Sequence, residues 1–228
     1  MGKHHDISWP GEDTRYRAAR DELLEMELDL RRRSEAIAAK RRALPRGGRV
    51  PEDYTFEEAA PEGVREVRLS QLFADGKDTL ILYSFMYASH MRQPCPMCVS
   101  FLDSLEGQVD HIAQRANLAV IARSDPARLR QWAADRQWQQ LRLLSSRAAS
   151  FHEDYHTESP EGSQWPLLYV FRREGDAIYH FFSTEMFFAA PEPDQHPRHV
   201  DPFWPLWNVL DLTPEGRGAN WYPALSYS

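Results

Sequence analysis

From Thr79 to Tyr87 the chain reads Thr-Leu-Ile-Leu-Tyr-Ser-Phe-Met-Tyr, an almost unbroken apolar run. A strand buried on both faces of a sheet reads this way, because neither face offers polar side chains a place in water. Beyond a loop, Leu102, Leu105, Val109 and Ile112 recur at spacings of three and four, the pattern of one apolar helix face. Leu118-Ala-Val-Ile-Ala122 predicts a second buried strand. Asp125-Pro126 then opens a helix, with proline near the first turn and Leu129, Trp132, Ala133 and Arg136 at helical spacing. Leu141 to Ser145 predicts a further short strand. Leu167 to Phe171 and Ile178 to Ser183, joined by Glu174-Gly175-Asp176, predict an antiparallel hairpin.

The flanks follow other rules. Tyr16, Ala19, Leu23, Met26, Leu30, Ile37 and Leu44 trace a narrow apolar stripe on a long helix over residues 14–44, ended by Pro45 and Gly47-Gly48. A stripe that narrow belongs on a domain surface or against a partner subunit, and a homodimer is expected. Residues 50–63 read as a loop-rich linker, and Val64 to Leu69 alternates weakly, as an outer strand does. Residues 151–164 show little pattern. A proline-rich segment, Pro191 to Pro202, precedes a last helix around Trp204 to Leu210. The order is strand, loop, helix, strand, helix, strand, hairpin, helix. It predicts an α/β fold, a thioredoxin-like mixed sheet flanked by helices, with a long N-terminal helical extension. The expected division is an arm and linker over residues 1–60 and a thioredoxin-like domain with an aromatic C-terminal extension over 61–228.

Composition narrows the function. A chain of 228 residues holds one substantial core plus extensions, and its net charge of −7 argues against broad nucleic-acid binding. The arginine runs 31–33 and 41–42 are interleaved with acids, as on a solvated helix face. No apolar stretch approaches the roughly 20 residues needed to span a bilayer. The first ten residues lack an apolar signal region, so a cytoplasmic protein with no membrane partner is expected. No phosphate-binding glycine loop and no nucleophile elbow is present.

The only two cysteines stand in Cys95-Pro96-Met97-Cys98, where the central strand hands over to a helix. In a reducing compartment such a pair serves redox exchange or metal binding more often than a permanent bridge. A helix N-terminus favours a thiolate, and the two intervening residues hold a second thiol within reach. Cys95 is therefore expected as nucleophile and Cys98 as resolving thiol, acting on a protein or small-molecule thiol or disulfide without cofactor or metal. Two readings stand beside this one. The cysteines are an inert half-buried pair, or they form part of a zinc site completed from His90, His152, His156, His180, His196 and His199, for which no spacing is specific.

Pro166 opens the hairpin strand. In thioredoxin-like folds the residue before a cis-proline packs beside the disulfide and offers its backbone to a bound peptide. By that likeness the Trp165–Pro166 bond is expected to be cis, with Pro166 against one of the cysteines. Pro94, Pro96, Met97 and Trp165 are the expected substrate contacts. The aromatic residues Phe181-Phe182, Phe187-Phe188, Phe203-Trp204, Trp207 and Trp221-Tyr222 read as core and interface, or as the pocket of a non-catalytic binding module.

Three passages carry a family resemblance. They are Pro94-Cys-Pro-Met-Cys98 with Phe101-Leu-Asp103, then Leu118-Ala-Val-Ile-Ala-Arg-Ser124, and the tail from Leu210-Asp-Leu-Thr-Pro-Glu-Gly-Arg217 through Trp221-Tyr-Pro223. Together they resemble the predicted dithiol–disulfide oxidoreductases of domain of unknown function 899, a branch of the thioredoxin-like superfamily. The resemblance implies a thioredoxin-like fold and a redox role, and names no substrate. Pro94 stands where thioredoxin has a tryptophan. Arg92 stands where peroxiredoxins have threonine or serine, which argues against a peroxidase.

Overall fold

A computed structural model describes residues 3–159, 162–190, 193, 201–218 and 220–227. The chain forms two compact units, 1–45 and 46–228. The first is built on helix α1, Thr14–Arg42, capped at its start by the Asp13 carboxylate, which accepts from the Tyr16 N–H at 2.7 Å. Lys40, Arg41 and Arg42 occupy its last turn, where positive charge complements the helix dipole. Taken by itself α1 buries none of its residues, and Leu23, Met26, Leu30 and Ile37 of the stripe are exposed.

The second unit is organised by one seven-stranded sheet. In chain order its elements are β1 (Thr55–Ala60), β2 (Gly63–Arg68), a 3-10 turn (Leu69–Leu72), β3 (Thr79–Ser84), α2 (Pro96–Glu106) and α3 (Val109–Ile112). There follow β4 (Asn117–Ala122), α4 (Pro126–Arg136), β5 (Leu143–Ser145), α5 (Phe151–Asp154), β6 (Leu168–Glu174), β7 (Ala177–Ser183) and α6 (Pro205–Leu210). The strand order across the sheet is β2-β1-β5-β4-β3-β6-β7. Strands β3, β4 and β5 run parallel, while β6 and β7 close one side antiparallel and β1 and β2 the other. This is a thioredoxin-like mixed sheet flanked by helices.

The centre of the sheet explains the apolar run that marks it. On β3, Leu80 and Leu82 enter one core while Tyr83, followed by Phe85 just beyond the strand, enters the other. On β4 the pairs are Ala119 with Ile121 and Val120 with Ala122. One core is covered by Val50, Tyr54, the 3-10 turn and Phe151. The other is covered by Val99, Phe101 and Leu102 of α2, Leu129 of α4, and Trp204 and Trp207. Each such fully buried side chain contributes about 1.5–3 kcal/mol of transfer free energy. With both faces dry, no polar alternation is possible.

Three expectations are corrected. The segment read as a linker carries β1, whose Phe56 is fully buried and which pairs β2 along its whole length. The helix after the cysteines is two helices, because α2 ends at Glu106 with Gly107 as its cap and the chain restarts at Val109. The patternless stretch 151–164 holds α5, in which Phe151 is fully buried and makes edge contacts with Tyr54 and Tyr169. No helix among the described residues is long and apolar enough to cross a membrane.

Candidate functional site

Both cysteines lie where β3 ends and α2 begins. Phe85 continues the β3–β4 pairing, its N–H donating to the Ile121 carbonyl at 2.8 Å, and the chain then leaves the sheet. It returns when the Cys95 N–H donates to the Met86 carbonyl at 3.0 Å. Cys95 itself is the cap of α2, with extended backbone angles of φ −62° and ψ 122°, and Pro96 is the first helical residue. Cys95 thus stands one step before the first helical turn. That position suits a thiolate, because the N–H groups at the second and third helical positions have no partner within the helix. Cys98 is the third helical residue and only 2% exposed, whereas Cys95 is half-buried. Both are free thiols.

Their electrostatics are opposite. A hydrogen bond from Cys98 brings the Cys95 thiol down to about 6; burial opposes this, and the backbone N–H groups of Cys98 and Met97 add to it. Burial pushes the Cys98 thiol well above its ordinary range, and the negative charge favoured on Cys95 pushes it the same way. Two groups act against that rise, the Tyr83 hydroxyl and the Met86 backbone. With these shifts the half-buried Cys95 is the sulfur that ionises at neutral pH, and Cys98, one turn behind it, is the one that keeps its proton.

The loop before Cys95 is fastened from α4. The Arg128 guanidinium donates to the carbonyls of Ser89 at 3.0 Å and Met91 at 2.6 Å and to the Tyr87 hydroxyl at 3.1 Å, and lies 4.6 Å from the centre of the Tyr87 ring. The Ser89 hydroxyl donates to the Arg123 carbonyl at 3.0 Å, tying the loop to the end of β4. Met86, Met91 and Met97 pack against the same buried cluster as Cys95 and Cys98, an adaptable apolar rim at this end of the core. At the other end of α2, the Asp103 carboxylate accepts from Arg136 and from the Trp138 indole at 2.9 Å. Glu106 accepts from the N–H groups of Gln139, Gln140 and Leu141 at 2.6, 2.8 and 3.0 Å. These bonds fix the helix that carries the cysteines.

Of the other expected site residues, Pro94 is buried, and Pro96 and Met97 are half-buried beside the cysteines. The Trp165–Pro166 bond is trans, which overturns the cis expectation. The local bonding shows why. The Leu167 N–H donates to the Trp165 carbonyl at 3.1 Å, closing a tight turn centred on Pro166, and the Trp165 N–H donates to Thr157 at 2.8 Å. A trans proline with its fixed φ suits that turn, and trans is the lower-energy isomer by about 0.5–1 kcal/mol. Pro166 still lies at the cysteine end of the sheet, since β6 pairs β3 through Tyr83 and Leu168. The Trp165 ring packs on Phe187 at 4.3 Å, against the core opposite the cysteines.

Sequence reasoning missed Tyr83 and Arg128. Tyr83 left a signal, a phenol hydroxyl inside a largely apolar buried run, which requires a partner. Arg128 left none, because its bonds go to residues 37 to 41 positions away. His152 is buried and neutral, its Nε2–H donating to the Ser146 carbonyl at 2.7 Å and its Nδ1 bonded to Thr157. Among the described residues no three histidines, cysteines or carboxylates come together as a metal site would require. His196 and His199 lie outside the described residues. Trp204 and Trp207 are buried core beside the cysteine helix, with Trp204 against Phe101 at 6.3 Å. A groove of about 960 Å³ lined by Tyr155, Tyr169, His180 and Phe188 contains neither cysteine.

Residues 6–227 match the family described as "Bacterial protein of unknown function (DUF899)", and the chain belongs to that family. Among curated proteins, none matches the sequence. Solved structures similar to it include reduced Prx3 from Vibrio vulnificus in complex with hydrogen peroxide, at 16% identity and a TM-score of 0.46, covering 67% of this chain and 91% of that one. Thioredoxin peroxidase I from Plasmodium yoelii is 16% identical with a TM-score of 0.46, covering 81% and 99%. The exposed lipoprotein thioredoxin of Streptococcus pneumoniae is 16% identical with a TM-score of 0.41, covering 67% and 98%.

Proposed function

We propose that this DUF899 protein exchanges dithiols and disulfides through Cys95 and Cys98. One observation carries the reading. Two free thiols stand one helical turn apart at a strand-to-helix junction, one half-buried and the other 2% exposed, and their acidities are shifted in opposite directions. A structural pair has no use for that difference. An exchange pair depends on it, because one sulfur must attack and the other must wait.

On this reading the cycle has two halves. The Cys95 thiolate attacks one sulfur of a substrate disulfide, a Cys95–substrate bond forms, and the other substrate sulfur leaves as a thiol after taking a proton. Cys98 then attacks Cys95. The Cys95–Cys98 bond forms, the Cys95–substrate bond breaks, and the proton of Cys98 ends on the departing substrate sulfur. Two electrons pass from the protein dithiol to the substrate disulfide, and the reverse sequence oxidises a substrate dithiol. Pro96 and Met97, half-buried beside Cys95, are the proposed substrate contacts. With Pro166 trans, substrate docking is assigned to this rim rather than to a cis-proline edge.

The test is a trapped intermediate and a potential. Cys98→Ser leaves Cys95 to form mixed disulfides that cannot resolve, and mass spectrometry then finds substrates on Cys95. The wild-type pair is expected to oxidise reversibly between roughly −120 and −270 mV, the span of known exchange proteins. A pair that never oxidises contradicts the reading.

A further inference from the structure

Tyr83 carries a phenol hydroxyl into a buried, largely apolar cluster. It is 1% exposed, its ring packs on Phe101 at 4.9 Å, and strand alternation points it to the α2 side of the sheet. A buried hydroxyl needs a partner; Phe101, on which the ring packs, is one helical turn along α2 from Cys98, and one buried cluster holds the phenol and that thiol together, in keeping with the rise that Cys98 causes in the phenol. Along with the Met86 backbone and Cys95, it completes the polar surroundings of that sulfur. We propose that the Tyr83 hydroxyl serves the second half of the exchange cycle, donating to the Cys98 sulfur as it becomes the attacking thiolate. This rests on the exchange reading above.

The hydroxyl matters once Cys95 is consumed. In the reduced protein the Cys98 S–H has an ionic acceptor in Cys95. In the mixed disulfide that acceptor is gone, and Cys98 must lose its proton inside an apolar core. An unsolvated thiolate is costly there, and hydrogen bonds to it are worth more than in water. Tyr83 supplies a fixed donor that needs no rearrangement. It keeps its own proton throughout, since burial and the neighbouring sulfurs hold its phenol far above the ordinary range. The Cys98 proton leaves with the substrate sulfur, so Tyr83 is a donor and not a base.

The experiment uses dithiobis(nitrobenzoate) as the disulfide, because each half of the cycle releases one coloured thiolate. Reduced wild-type protein should show two phases, attack by Cys95 and closure by Cys98. In Tyr83→Phe the first phase should stay within about twofold. The second should slow by about tenfold to a hundredfold at neutral pH, the range of one hydrogen bond to a charged group. The pH profile of that second phase should also move upward by about one to two units, which a purely structural role for the hydroxyl would not do. A second phase and profile unchanged in Tyr83→Phe overturn the inference and leave the exchange reading standing. A wild-type protein with no second phase defeats the exchange reading, and the inference with it. If Tyr83→Phe does not fold, fluorotyrosine at position 83 keeps the ring and strengthens the donor. It should speed the second phase, and an unchanged rate overturns the inference.

Discussion

Cys98 lies one helical turn behind Cys95 and donates to its sulfur from a position 2% exposed. The bond makes the two acidities depend on each other. Replacing Cys98 by alanine removes the leading cause of the low Cys95 value, and the half-titration point, about 6 in the wild type, should rise by about one to two units. Thiolate absorbance followed through a pH titration of the reduced variant checks this. A value that stays near 6 would mean that the helix terminus alone sets the acidity.

Arg128 is expected to hold the loop before Cys95 in place. Arg128→Met keeps much of the side-chain volume and removes the bonds to Ser89, Met91 and Tyr87 together with the contact over the Tyr87 ring. The expected loss is about 1–3 kcal/mol in urea unfolding, with faster proteolytic nicking in the loop. Unchanged stability and unchanged nicking would show that the loop is held by its own turns.

His152 predicts an acid-side loss of stability distinct from that of the carboxylates. Burial brings it from the usual 6.5 down to about 4, so the folded protein excludes a proton that the unfolded chain binds. Stability is therefore full above pH 6.5, falls as the pH drops towards 4, and levels off below it. The loss over that window is up to about 3 kcal/mol. His180 shifts in the same direction, so the comparison must be with His152→Gln, in which the slope between these pH values should flatten. Equal slopes in the two proteins would remove His152 from the account.

Gly47 has no room for a side chain. A Cβ there would collide with the His180 carbonyl oxygen, beside the bonds that pair this segment with β7: His180 N–H to Gly48 at 2.9 Å and Val50 N–H to Ile178 at 2.9 Å. Gly47→Ala should cost about 1–3 kcal/mol through displaced backbone. Hydrogen exchange at Val50 and His180 should rise with it, and protection equal to wild type would contradict the close approach.

The parts of the fold legible in the sequence are those whose surroundings are uniform. Residues 79–87 and 118–122 read as buried strands because both faces of the sheet are dry there. Asp125-Pro126 announced α4 by local chemistry, the Asp125 carboxylate accepting from the Ala127 N–H at 2.9 Å. The illegible parts depend on distant residues. Strand β1 reads Thr-Phe-Glu-Glu-Ala-Ala and buries only Phe56 fully, so its pairing is decided by β2 and β5 rather than by its own pattern. In the site, the cysteine pair was visible by spacing. The isomer of Pro166 was not, because the turn from Trp165 to Leu167 chooses it.

The most direct test is alkylation of the reduced, native protein by iodoacetamide across a pH series, with each cysteine resolved by peptide mass spectrometry. Cys95 should label with a midpoint near 6 while Cys98, buried and held protonated, stays unlabelled through neutral pH. Labelling of Cys98 first, or of both at the ordinary cysteine value of about 8.5, would contradict the assignment of one attacking and one waiting sulfur.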